Sequence, residues 1–99
     1  MLYLVEVEGS MEKATEIDRG SGPGPTIAKI KERFRPQSFW GDPTRRRTFM
    51  LVELETPAKI AELMYVLTWF AGTNPRFTPL MPAEVFGEAM ENAKKIVLP

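Results

Sequence analysis

Residues 2–7 alternate with a period of two. Leu2, Leu4 and Glu6 fall on one face and Tyr3, Val5 and Val7 on the other, the pattern of a β-strand. Both faces are largely apolar, which predicts a central strand. A polar stretch follows in which Ser10 can cap a short helix carrying Met11, Ala14 and Ile17, stopped by the Gly/Pro run of residues 20–25. That run reads as the one flexible segment. Thr26 is the expected N-cap of a second helix to about residue 35, with Ile27, Ile30 and Phe34 at helical spacing and Pro36 beyond its end.

Residues 37–41 read as a short strand, 41–44 as a turn and 46–55 as a long strand, together an antiparallel hairpin. Thr48, Met50, Val52 and Leu54 share the face expected beneath helices, and Arg47, Phe49, Leu51, Glu53 and Glu55 share the other. Thr56 followed by Pro57 is an N-cap with proline at the first helical position, and Gly72 supplies the left-handed stop. On a helical wheel Ile60, Leu63, Met64, Leu67, Phe70 and Ala71 form the core face. Residues 76–80 form a strand expected at a sheet edge, because Pro75 and Pro79 lack amide donors. Pro82 opens a last helix to about residue 97, whose apolar surface is Val85, Phe86, Ala89, Met90, Ala93 and Ile96.

The order strand, helix, strand, strand, helix, strand predicts an α+β, ferredoxin-like βαββαβ fold with a four-stranded antiparallel sheet and an extra C-terminal helix. At 99 residues the chain is expected to form a single ferredoxin-like domain, 1–99. Two consequences concern assembly. The sheet face carrying Leu2, Leu4, Glu6, Phe49, Leu51 and Glu53 is too apolar to remain wet. The least demanding cover is a second copy, sheet against sheet about a two-fold axis, so a homodimer is expected. Tyr65 and Trp69, four residues apart, lie opposite the core face of the long helix. Either the C-terminal helix folds back over them or they are an interface with a partner.

The stretch Phe49-Met50-Leu51-Val52-Glu53-Leu54-Glu55-Thr56-Pro57, the apolar helix after it, Trp69-Phe70 and Phe77-Thr78-Pro79-Leu80 resemble a small prokaryotic family of uncharacterised proteins in the dimeric α/β-barrel superfamily. The resemblance runs from Gln37 onward; the Gly/Pro segment and residues 10–19 depart from it. It implies a ferredoxin-like fold paired as a two-fold dimer, a dimeric α/β barrel that often encloses a cavity. It implies no activity, because fold alone does not license one.

Composition narrows the chemistry. The chain has no Cys and no His, which removes disulfides, thiolate chemistry, sulfur-ligated zinc and the usual base near neutral pH. No stretch is long and apolar enough to span a bilayer. The N-terminus has no basic leader and meets Glu6 early, so a cytoplasmic protein is expected. No metal and no cofactor are expected. The acidic residues Glu84, Glu88 and Glu91 with Lys94 and Lys95 behind them match a solvated helix face. The Gly/Pro run lacks the Gly-Lys-Ser/Thr of a phosphate cradle and reads as a linker or a flap over a cavity mouth.

A small-molecule ligand between paired sheets would meet Glu6, Trp40, Arg47, Phe49, Leu51 and Glu53. Buried there, Glu6 or Glu53 could serve as acid or base. The plainer reading pairs each with an arginine, Arg47 sharing the face of Glu53, or puts them at a rim. The net charge is zero, yet residues 26–47 carry a local excess of five positive charges. Arg45, Arg46 and Arg47 beside Phe39 and Trp40 could contact nucleic acid. Nucleic acid is not the expected partner, because aromatic RNA-binding motifs are missing and the pI is about 6.3. Three readings remain open: a ligand-binding homodimer, an interaction module using Tyr65 and Trp69, and a nucleic-acid binder.

Overall fold

A computed structural model describes residues 1–97. The elements are β1 (Leu2–Glu8), α1 (Met11–Arg19), α2 (Gly24–Phe34), β2 (Ser38–Asp42), β3 (Arg47–Glu53), α3 (Pro57–Ala71), β4 (Arg76–Leu80) and α4 (Ala83–Val97). The strands form one sheet in the order β2-β3-β1-β4, antiparallel throughout. The α+β ferredoxin-like arrangement with its added C-terminal helix is therefore as the periodicities predict, with β1 central and β4 at an edge.

The caps explain most boundaries. Ser10 Oγ accepts from the Lys13 amide at 3.1 Å and Thr56 Oγ1 accepts from the Lys59 amide at 3.2 Å. Gly72 closes α3 at φ 74° and its amide donates to the Thr68 carbonyl. One start differs from expectation. The second helix begins at Gly24 with Pro23 as N-cap, not at a Thr26 cap, because Pro25 fits a first turn whose amides need no helical acceptor. The Gly/Pro run is thus shortened to a turn before the helix, and Arg35 ends α2 in the left-handed region at φ 49°.

The core lies between the sheet and the helices. Val5, Val7, Met50 and Val52 from the strands and Leu54 just after β3 pack with Ile30 and Phe34 of α2 and Leu63, Leu67 and Ala71 of α3. This is the sheet face that the alternation assigns to the helices. Ile60, Met64 and Phe70 are only half-buried, and Val66, outside the expected arc, also packs on the core. Arg33 clamps α2 to α3 through Glu62, its Nε and Nη2 donating at 3.2 and 3.3 Å. Met1 ties the chain start to β3, its ammonium donating to the Leu54 carbonyl at 3.0 Å and pairing with Glu53 at 2.7 Å.

α4 contributes nothing to this core. Every residue of α4 is exposed, and the Cα extents of 60 × 25 × 22 Å describe a body from which a helix projects. The option that this helix folds back over Tyr65 and Trp69 is thereby excluded in the chain by itself.

Candidate functional site

The second sheet face is built by register. Residues directly opposite in neighbouring strands share a face, so the pairings lay out rows across the sheet. Asp42, Arg47 and Glu8 form one end row, followed by Trp40, Phe49, Glu6 and Arg76. Ser38, Leu51, Leu4 and Thr78 come next, and Glu53, Leu2 and Leu80 close the other end. Leu2, Leu4, Phe49 and Leu51 are half-buried, shielded only by their neighbours in the sheet, and Trp40 is 68% exposed. Among the described residues no helix lies on this face apart from the approach of Val85 to Leu2, Leu80 and Met81 at its end. The buried Ser38 Oγ has no hydrogen-bond partner among the described residues.

All six candidate ligand residues, Glu6, Trp40, Arg47, Phe49, Leu51 and Glu53, therefore share one face, but they do not form one cluster. Trp40, Phe49 and Glu6 sit in a single row. Arg47 is one row away, its guanidinium 5.2 Å from the Phe49 ring centroid, a cation–π contact. Glu53 is four residues along β3 from Phe49, about 13 Å at strand rise, and belongs to the opposite end. The expected pairing of Arg47 with Glu53 is replaced by another. Arg47 Nε and Nη2 donate to Asp42 Oδ2 at 3.1 and 2.8 Å, while Glu53 is neutralised by the N-terminal ammonium.

Asp42 is the strongly perturbed acid of this end. Hydrogen bonds from the Thr44 hydroxyl and from Arg47 hold its carboxyl down to about 2 from an ordinary 3.8. Sequence reasoning placed Asp42 in the turn and missed this role, although an Asp two residues before Thr in a turn is a recognised backbone-mimicking arrangement. Arg76 was missed as well. It stands opposite Glu6 across β1 and β4, a neighbour that only the register reveals.

The other arginines of the hairpin are also engaged within the chain. Arg45 pairs with Glu8 at 3.3 Å, and Arg46 donates from Nε to the Gly9 carbonyl at 3.2 Å. Tyr65 and Trp69 stand bare on the outer side of α3, 51% and 71% exposed, with ring centroids 5.5 Å apart.

A cleft of about 340 Å³ lies on the helix side, where Ala14 and Ile17 of α1, Ile27 of α2 and Phe70 of α3 leave a gap over Val7, with Arg46 at its edge. The alternation of strand residues gave no signal for it, since it arises from imperfect helix packing. Among the described residues no group of three or more carboxylates could hold a metal ion. No helix among the described residues is long and apolar enough to cross a membrane.

This architecture defines a ferredoxin-like α+β protein with one helix-covered and one uncovered sheet face. The comparison with known families adds that residues 1–94 match a domain of unknown function, DUF3303. The chain belongs to that family, and the match takes in the first third, which the sequence resemblance had left aside. No curated protein matches the chain.

Proposed function

We propose that the protein works as a homodimer, a dimeric α/β barrel in which two uncovered sheet faces oppose each other and enclose a site for a small organic ligand. The observation that supports this reading is the row of Trp40 and Phe49 beside Leu51 and Leu4, on the part of the face over which no helix lies among the described residues. Apolar area removed from water contributes about 25 cal/mol per Å². Several large side chains closing on their symmetry mates are thus a substantial drive toward pairing. Trp40, Phe49 and Leu51 then form the apolar wall of the site, Glu6 and Arg47 the polar groups beside it, and Glu53 lies toward the rim.

Native mass spectrometry of freshly purified protein tests this. The expected result is twice the chain mass with a co-purifying small molecule that is lost in Phe49→Ala. A monomer overturns the reading, and so does a ligand found in the helix-side cleft instead of the seam.

The bare Tyr65 and Trp69 pair supports a second reading, an interaction module that seats an apolar side chain of another protein between the two rings. Trp69→Ala separates the two readings, because it leaves the dimer mass and the ligand in place and removes only that contact.

A further inference from the structure

We infer that the cleft on the helix-covered side binds a small monocarboxylate with an apolar body, its carboxylate seated on the Arg46 guanidinium. The cavity measures about 340 Å³, the size of small-molecule sites, which are mostly apolar with a few placed polar groups. Its walls follow that pattern. Ala14, Ile17, Ile27 and Phe70 stand around Val7, and all four are half-buried, packed on one side and open to the gap on the other. The start of α1 is held at this spacing by backbone bonds. The Gly9 amide donates to the Arg46 carbonyl at 2.8 Å, and the Ser10 amide to the Ala71 carbonyl at 2.9 Å.

Arg46 supplies the charge that a ligand must match. Its backbone lies in the left-handed region at φ 53°, a conformation that glycine or asparagine takes at less cost in a hairpin turn. Backbone strain of this kind collects at functional sites. The side chain is positioned as well, because Nε donates to the Gly9 carbonyl at 3.2 Å. That contact holds the guanidinium at the edge of the cleft and leaves its two terminal nitrogens without a partner among the described residues. A planar fork with two free donors fits a carboxylate.

The other charged groups of the wall narrow the choice. Arg47 and Asp42 satisfy each other. Asp18, exposed on α1 at the rim, has no ion-pair partner among the described residues, so a second negative charge on the ligand would be repelled. A monoanion is favoured over a phosphate dianion. The cleft lies across the sheet from the proposed seam, and the inference does not rest on the pairing of the sheets.

Octanoate is the probe, with octanol and octylamine as its neutral and cationic counterparts, and binding to the whole chain is read from the methyl resonances of Ile17 and Ile27. The expected result is saturable shifts of both methyls with octanoate. Arg46→Gly should weaken octanoate about tenfold, as for loss of a charge-assisted hydrogen bond, and leave octanol unchanged; glycine suits the left-handed backbone, so the variant keeps its fold. Ala14→Leu fills the cleft and is expected to abolish the shifts with either probe. The inference is overturned by unshifted Ile17 and Ile27 methyls, by octanoate binding that survives Arg46→Gly or Ala14→Leu, or by tighter binding of octylamine than of octanoate.

Discussion

Asp42 shows how one side chain can organise the end of a sheet. Its Oδ1 accepts from the Thr44 amide at 3.0 Å and from the Thr44 hydroxyl at 2.5 Å, while Oδ2 takes both donors of Arg47. Because these donors favour the ionised form, the folded pKa of about 2 lies below that of the unfolded chain, near 3.9. The contribution is therefore fully present above about pH 4 and is lost as pH falls toward 2. Urea denaturation at a series of pH values should show a shallower acid loss of stability in Asp42→Asn than in the wild type; equal slopes would contradict the assignment. The sequence reading put Arg47 with Glu53 because period two tells which face a residue occupies and not how far along the strand its partner stands. Six positions separate them, about 20 Å, whereas Asp42, which the structure puts at the end of β2 and not in the turn, stands directly opposite Arg47.

At the scale of elements, caps and stops were the most legible features, because each is a local contact between a side chain or a glycine and the nearest turn. Gly72 illustrates the physics. At φ 74° an alanine would be strained, and its Cβ would fall 2.7 Å from Lys13 Cγ and 3.0 Å from Ser10 Oγ. Gly72→Ala is expected to cost about 1–2 kcal/mol, and the Tm of the variant measures it; an unchanged Tm would contradict the account. Leu63, fully buried on α3, is the corresponding test of the core face. Leu63→Ala should lose about 2–5 kcal/mol in urea denaturation, and a loss below that range would mean that α3 is not seated as described. The Gly24 start was illegible because Thr26 offered a good cap and Pro23 a poor one, and proline tolerance in the first turn decided the matter. α4 shows a different limit. Its amphipathic spacing was plain, but the pattern states that one side is apolar and says nothing of what that side meets.

On the scale of the whole molecule, the order of the strands and the identity of the core face followed from alternation and connection rules alone. The candidate site was legible as a face and illegible as a set of contacts, since the spread of Glu6, Arg47 and Glu53 over its rows is a property of register. Among the described residues two apolar surfaces, the stripe on α4 and the uncovered sheet face, then have no cover.

Leu51 lies in the middle of that face, on a half-buried position outside the core between sheet and helices. Sedimentation equilibrium of the wild type and of Leu51→Asp at micromolar concentration tests the central claim most directly. Pairing through the sheets predicts twice the mass of 11.2 kDa for the wild type and a folded monomer for the variant. A monomeric wild type, or a dimer that Leu51→Asp leaves intact, would contradict it.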